Sequence, residues 1–514
     1  MLEEAQNVPD LTLPSTKKAL QDAAAWDYQE VVALVLEAGA DVNLADESGW
    51  SLVALAVQHK SPALMRSILE YRPNINTRGP SENTPLHLIV TETPLETVRL
   101  LVHAGAQLTA TNKFGVTPII NALTIGHEEA ATYLLTKSPV LASLKAPPVK
   151  DVFGPLQAAC FSGNLNLVRL LVAKGCDVNS SCGVVQATPL MAAGGRNKDV
   201  QDTERIRIME YLFEKGADPA MPAGPTRYLI NFACWACSSD IVQGILDRKI
   251  PTNVSDDFSR RPIHFACYNS LAVLDLLEVP DEDFTVVDST GRLPLHYAVL
   301  SGQMALVEEV LLRSERVGID INVVDKNNWT PLMWAARASR LFDRSQDEVA
   351  QDEDVISFLL EKGADKQLLG NGFNRKWSAL QIAQYHQDEK IEKLLGGGLA
   401  TDEASGPILR GTYGEGKLCD CCFVEIWGLY SECVTCSNYH LCYKCYLGKS
   451  IFHSHHEFND GGSESYSSHE VTEKAASVRS GSANGELSDE EDIANQFDDE
   501  IVDEENLVHT EETV

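Results

Sequence analysis

Nowhere in the 514 residues do eighteen apolar side chains follow one another, so the chain has no stretch suited to a membrane-spanning helix. Met1 to Pro14 also lacks the basic segment and apolar run of an export signal. A cytoplasmic or nuclear location, or both, is therefore expected. Positive charge is scarce: 42 Lys and Arg stand against 74 Asp and Glu, a formal net charge of -32. That balance argues against direct nucleic-acid binding and against anionic membranes, since both require basic side chains to neutralise phosphate. It favours basic protein partners instead. Glycine-rich phosphate loops, nucleophile elbows and paired carboxylates on one helical face are missing, so no catalytic residue is assigned and no enzymatic activity is expected.

What is present is repetition. Thr84-Pro85-Leu86-His87, Thr117-Pro118-Ile119, Thr188-Pro189-Leu190, Pro262-Ile263-His264, Pro294-Leu295-His296 and Thr330-Pro331-Leu332 restate one phrase, one or two steps of about 32 to 38 residues apart. The phrase reads as a helix start, because a Thr hydroxyl caps unpaired amides and Pro fits the first turn. About ten residues later comes a second apolar stripe, such as Val98-Leu100-Leu101 or Val168-Leu170-Leu171, spaced for one helical face. It ends in Glu37-Ala38-Gly39-Ala40-Asp41-Val42-Asn43, Lys174-Gly175-Cys176-Asp177-Val178-Asn179 or Lys362-Gly363-Ala364-Asp365, where Gly suits a left-handed C-cap.

Helix, turn, helix and extended finger in about 33 residues resembles the ankyrin repeat, whose signatures these phrases match. The resemblance implies an all-α ankyrin-repeat solenoid of about eleven helix pairs over residues 16–398, after an N-terminal flank at 1–15. Two polar inserts, Gly194 to Glu204 and Arg337 to Asp354, fall between the helices of their units and are expected to loop outward. Ala146-Pro147-Pro148 reads as one lengthened finger rather than a hinge. The pair Cys234 and Cys237 lies in a short apolar helix without other ligand types nearby, and is assigned to core packing.

Beyond Gly396-Gly397-Gly398 the period stops, and residues 399–414 read as a linker. Seven of the thirteen cysteines crowd between Cys419 and Cys445. Cys419 with Cys422, Cys433 with Cys436, and Cys442 with Cys445 share the CxxC spacing that lets two thiolates grip one tetrahedral ion, and histidines from His453 to His456 follow. Six thiolates and two imidazoles fill two zinc sites, which leaves no open position for catalytic water. The order of these elements over 415–460, with Trp427-Gly428-Leu429-Tyr430 and Glu457-Phe458, resembles a ZZ-type zinc finger. The resemblance implies that Cys419, Cys422, Cys442 and Cys445 hold one structural Zn2+, and that Cys433, Cys436, His453 and His456 hold the second, with His455 as the substitute for His456. Cys421 is left as an extra thiol. Some relatives of that finger grip a peptide N-terminus with acidic side chains; Asp420 matches one such acid, whereas Asn438 and His440 stand where others are common.

Residues 461–514 are rich in Ser, Gly and acid, and no Lys or Arg occurs from Gly481 to Val514, which suits a disordered acidic tail. Together these parts describe a monomeric scaffold or adaptor whose repeats and zinc finger each engage a protein. The alternative is an accessory or substrate-recognition subunit of a ubiquitin ligase or chromatin-linked complex.

Overall fold

The computed structural model describes residues 14–137, 153–338 and 346–396, apart from 183–185, 196, 225, 373–374 and 387, together with strand segments and flanking positions between 409 and 466. The chain divides into Met1–Ser465 and Tyr466–Val514, and the architecture below is that of the first unit. Eleven helical pairs succeed one another among the described residues, from Pro14–Ala25 with Gln29–Glu37 to Ala379–Tyr385 with Glu389–Leu394. No helix among the described residues is long and apolar enough to cross a membrane.

The helix starts follow the capping chemistry of the repeated phrase. Thr117, Thr188 and Thr330 accept the amides of Ile120, Met191 and Met333 at 3.4, 3.2 and 3.3 Å, and Ser51 does the same for Ala54 at 3.3 Å. Pro at the next position gives up only an amide that would find no partner there. The second helices bury one stripe each: Leu165–Ala173 turns Leu167, Val168 and Leu171 inward. First helices stack on one another, Leu229–Ala236 on Pro262–Asn269, then Pro294–Ser301, then Pro331–Ala338. Small side chains such as Ala233, Cys234, Ala266, Cys267, Ala298 and Ala335 are buried along these helices and permit close approach. The outcome is one continuous apolar core from Leu20 to Leu395, in which each unit buries its face against its neighbours.

Three local features depart from the plain repeat. In the third unit the first helix shrinks to a 3-10 turn, Pro85–Leu88. The β-branched run from Ile89 and Pro94 disfavour helix, and Asn121 Nδ2 caps the released carbonyls by donating to His87 O and Ile89 O at 3.0 and 3.2 Å. The first insert does not loop outward: Asn197 Nδ2 donates to Phe161 O at 3.0 Å, and Arg205 donates to Asn197 O at 2.6 Å, so the insert folds back across the fifth unit. Much of the second insert joins a helix, Gln346–Glu361. A hairpin, Gly370–Gly372 with Arg375–Trp377, forms the last finger. Residues 146–148 lie outside the described residues.

After the array come short strands. Leu409–Gly411 pairs with Glu464–Tyr466, Tyr413–Leu418 pairs antiparallel with Glu425–Trp427, and Tyr430–Cys433 lies between His440–Cys442 and Phe458–Gly461.

Candidate protein-interaction surface

The fingers are locked before any partner arrives. At their bases, the recurring Asn of the stock phrase bridges to the following unit: Asn179 Nδ2 donates to Gly216 O at 3.1 Å while its Oδ1 accepts Asp218 N at 2.7 Å. Asn76 makes the same pair of bonds with Gly105 O and Gln107 N, and Asn322 with Gly363 O and Asp365 N. Each bond is modest, about 1 kcal/mol, but the ladder sets the spacing of neighbouring units. Gly363 has φ +94° with open space around an added Cβ, so glycine is required there for backbone conformation and not for room.

The histidines of the phrase are structural. Arg261 N and Leu293 N donate to Nδ1 of His264 and His296, each at 3.0 Å, which places the remaining proton on Nε2. Nε2 then donates to Val286 O at 3.1 Å and to Trp329 O at 3.2 Å in the adjoining finger. His87 joins Thr84 to Val116 in the same way. Burial lowers the His264 pKa to about 4, so its imidazole is neutral at pH 7 and suited to this bridging role.

At the finger turns a carboxylate gathers the backbone. Asp288 Oδ1 accepts Thr290 N at 2.8 Å and Arg292 N at 2.9 Å; its Oδ2 accepts Arg292 Nε at 2.6 Å and the Tyr297 hydroxyl at 2.7 Å. Burial alone would raise this carboxyl, but the Arg292 guanidinium and these hydrogen bonds outweigh it and hold the pKa well below the usual range. Asp256 with Arg260 repeats the pair at 2.6 Å, and Asp325 accepts Trp329 N and Trp334 Nε1. Backbone bonds then tie finger to finger: Ser289 N to Phe258 O, Lys326 N to Thr290 O, and Asn371 N to Asn327 O, at 2.7 to 2.9 Å.

On this rigid platform Val287, Val324 and Leu369 occupy the same position of three successive fingers, one residue before Asp288, Asp325 and Gly370. They are 49, 44 and 48 % exposed, while the framework beneath them is buried. Sequence reasoning did not single out this row, although the recurrence of Asp four residues before Arg260, Arg292 and Trp329 was available as a signal.

The sequence-assigned zinc ligands are less visible. Cys419, Cys422, Cys436, Cys445, His453 and His456 lie outside the described residues, as do Asp420, Cys421 and His455. Cys442 lies in a strand, and Cys433 is buried. The register opposes Tyr430 to Cys442 and Cys433 to Phe458. Cys234 and Cys237 sit in the array core, where burial pushes the Cys234 thiol up and away from the thiolate a metal would need.

Comparison with known proteins agrees with the geometry. A family model described as "Ankyrin repeats (3 copies)" matches residues 20–112, 53–146, 229–325 and 263–367, together more than half of the chain, and a single "Ankyrin repeat" model matches 153–182. The chain is 25 % identical over 240 residues to an ankyrin repeat domain-containing protein, SAT10, of Stachybotrys chartarum, covering 44 % of this chain and 12 % of that one. It is 22 % identical over 406 residues to the human transient receptor potential cation channel subfamily A member 1, covering 71 % and 35 %. The chain thus spans well under two thirds of either relative. Among solved structures, the human ASB11 ankyrin repeat domain aligns with a TM-score of 0.39 at 22 % identity, over 45 % of this chain and 98 % of that one. By the matched family models and the repeated helix-turn-helix-finger unit, the chain belongs to the ankyrin-repeat proteins.

Proposed function

We propose that this protein is a non-enzymatic adaptor in which the fingers and first helices of the array bind one protein and a C-terminal two-zinc module binds another. The ankyrin fold is generally a non-enzymatic interaction module, and stacking repeats yields a long exposed face rather than an enclosed pocket. The observation that carries the reading is the row Val287, Val324 and Leu369, exposed on fingers whose backbones are bonded to one another. Exposed apolar groups on a preorganised platform bind with little ordering cost, which is where affinity at interfaces arises.

For the second module, the backbone register is compatible with the interleaved ligand sets. Cys433 lies three residues along its strand from Tyr430, the partner of Cys442. That offset is about 10 Å along the sheet, too far for both cysteines to serve one tetrahedral ion with bonds near 2.3 Å. The resemblance to ZZ-type fingers supplies the rest of the partition: Cys442 would share an ion with Cys419, Cys422 and Cys445, and Cys433 would share the other with Cys436, His453 and His456. When bound, zinc in such closed sets supplies folding energy and no chemistry on substrate. Asp420 would offer one carboxylate to a peptide ammonium group.

The test is quantitative affinity purification of three forms: the intact chain, V287K/V324K/L369K, and Cys433→Ser. The finger variant should lose one set of partners while keeping two zinc equivalents, and Cys433→Ser should lose a different set. An unchanged partner set in both variants would refute the adaptor reading.

A further inference from the structure

The array begins on a seam that its later junctions fill. Tyr28 opens the second helix of the first unit, Gln29–Glu37, and Val31 stands three residues on. At the same step after the helix start, Leu64, Thr97, Ala130, Leu167, Ile241 and Val273 of later units are 0 to 1 % exposed, whereas Val31 is 44 % exposed. Val32, one residue further, is buried like its counterparts. The first unit differs from the later ones in having no described unit before it, so Val31 faces the side that a preceding unit would cover.

The residues around Val31 face the same way. At the position of Tyr28, His127 Nε2 donates to Thr93 O at 2.8 Å and Asn164 Nδ2 to Gly126 O at 3.3 Å, each in the unit before. Ser162, in the place of Trp26, lies against Gly126, where an added Cβ would be 3.4 Å from the serine Cβ. Tyr133, in the place of Leu34, lies under Arg99 of the preceding second helix, with the guanidinium 5.7 Å from the ring centroid. Here Trp26, Tyr28 and Leu34 are 73, 59 and 64 % exposed. Tyr28, Val31 and Leu34 follow at steps of three, and Trp26 and Tyr28 add the two aromatic anchors that favour a protein interface.

The rim decides the occupant. Asp27, Glu30 and Glu37 are interspersed with these residues and exposed, while the cations between Pro14 and Ala40 are Lys17 and Lys18, in the first turns of Pro14–Ala25. A second copy would set the same acids against themselves, and Met1 to Leu13 carries Glu3, Glu4 and Asp10 without Lys or Arg. At later junctions the seam takes a helix, since successive second helices lie side by side, as Leu95–His103 does with Glu128–Lys137 and Leu165–Ala173 with Asp202–Glu214. We infer that the exposed seam of the first unit docks an amphipathic helix of a partner protein, its apolar stripe flanked by Lys or Arg, seated where a preceding second helix would lie. The site depends on neither the finger row nor zinc, so its failure leaves the adaptor reading standing.

Fluorescence anisotropy with the full chain tests it. The probe is a labelled peptide of about 18 residues with Leu at helical spacing and Lys between, long enough to form a helix on contact. Its counterparts are the same composition with the Leu spacing scrambled, and the same pattern with Glu for Lys. The first should bind, and both counterparts should bind at least about tenfold more weakly. V31Q/L34Q should weaken the first peptide by about tenfold or more, while Leu312→Gln, at a residue 45 % exposed on Met304–Arg316, should bind like the parent. Hydrogen exchange should show protection by the peptide over residues 26–37. No binding by the parent, equal binding of the scrambled peptide, equal weakening in Leu312→Gln, or protection elsewhere only would each overturn the assignment. So would a parent dimer in sedimentation that V31Q/L34Q turns into monomer, or binding that appears only after residues 1–13 are removed, because either would give the seam another occupant. Circular dichroism confirms that both variants fold.

Discussion

Asp288→Asn probes the most densely bonded carboxylate of the fingers. The substitution keeps an oxygen for Thr290 N and Arg292 N but turns an amide NH2 toward Arg292 Nε and the Tyr297 hydroxyl, both now donors at 2.6 and 2.7 Å. Arg292, whose side chain is 1 % exposed, loses the carboxylate that faces it. Breaking a buried ion pair costs about 3 to 5 kcal/mol, and the retained turn bonds place Asp288→Asn near the lower end, about 3 kcal/mol. Asp288→Ala should cost more, because each turn amide left unpaired adds about 1 kcal/mol. The double variant Asp288→Asn with Arg292→Met removes the stranded charge and sets a thioether against Tyr297 and Trp334, which Arg292 already covers at 4.9 and 5.5 Å. It should therefore be more stable than Asp288→Asn alone, by about 1.5 kcal/mol or more. Urea unfolding by far-ultraviolet circular dichroism gives the overall loss. Hydrogen exchange over residues 288–301 localises it, since a repeat array need not unfold in one step. A loss under about 1 kcal/mol for Asp288→Asn, or no recovery in the double variant, would refute the argument that this pair is a coupled buried hub.

Four further outcomes follow from the geometry. Gly363→Ala should cost about 1 kcal/mol with no change in packing, because the left-handed backbone alone disfavours alanine; a neutral result in thermal denaturation would contradict this. Asn179→Ala should lose about 1 to 2 kcal/mol and increase hydrogen exchange near Gly216 and Asp218. For His264, the folded pKa of about 4 lies below the ordinary value near 6.5, so the unfolded chain binds the extra proton. Its contribution is fully present above pH 6.5 and is lost as pH falls toward 4, by at most about 3 kcal/mol, and His264→Gln should flatten that part of the profile relative to the parent. Zinc removal by a chelator should unfold residues between 409 and 466 while the helical signal of the array persists, and elemental analysis should show Cys433→Ser retaining one of two zinc equivalents.

Much of the array was legible because its signals are local. Thr before Pro marks a cap, and Gly before Asp marks a left-handed turn; both operate within a few residues, so Thr188 and Gly175 could be placed from sequence. The shortening of the first helix of the third unit to a 3-10 turn has an equally local cause in Pro94 and the β-branched residues before it. The fold-back of the first insert was not legible, since it depends on Val200 meeting Gly163 some forty residues away. The Asp-Arg hubs lay between, visible as a recurrence four residues apart but requiring the stacked neighbours to reveal their burial. For the zinc module, CxxC spacing identifies ligand types, whereas the partition between ions is a tertiary property that only the Cys433 and Cys442 register touches.

Site-specific photo-cross-linking tests the adaptor claim most directly. A photoreactive phenylalanine analogue at Val324, on a finger, is compared with the same group at Leu312, on the outer helix Met304–Arg316; the two native residues are 44 and 45 % exposed. The account predicts a defined set of cross-linked polypeptides from position 324 that is absent at 312. Equal cross-linking from both positions, or none from 324, would contradict it.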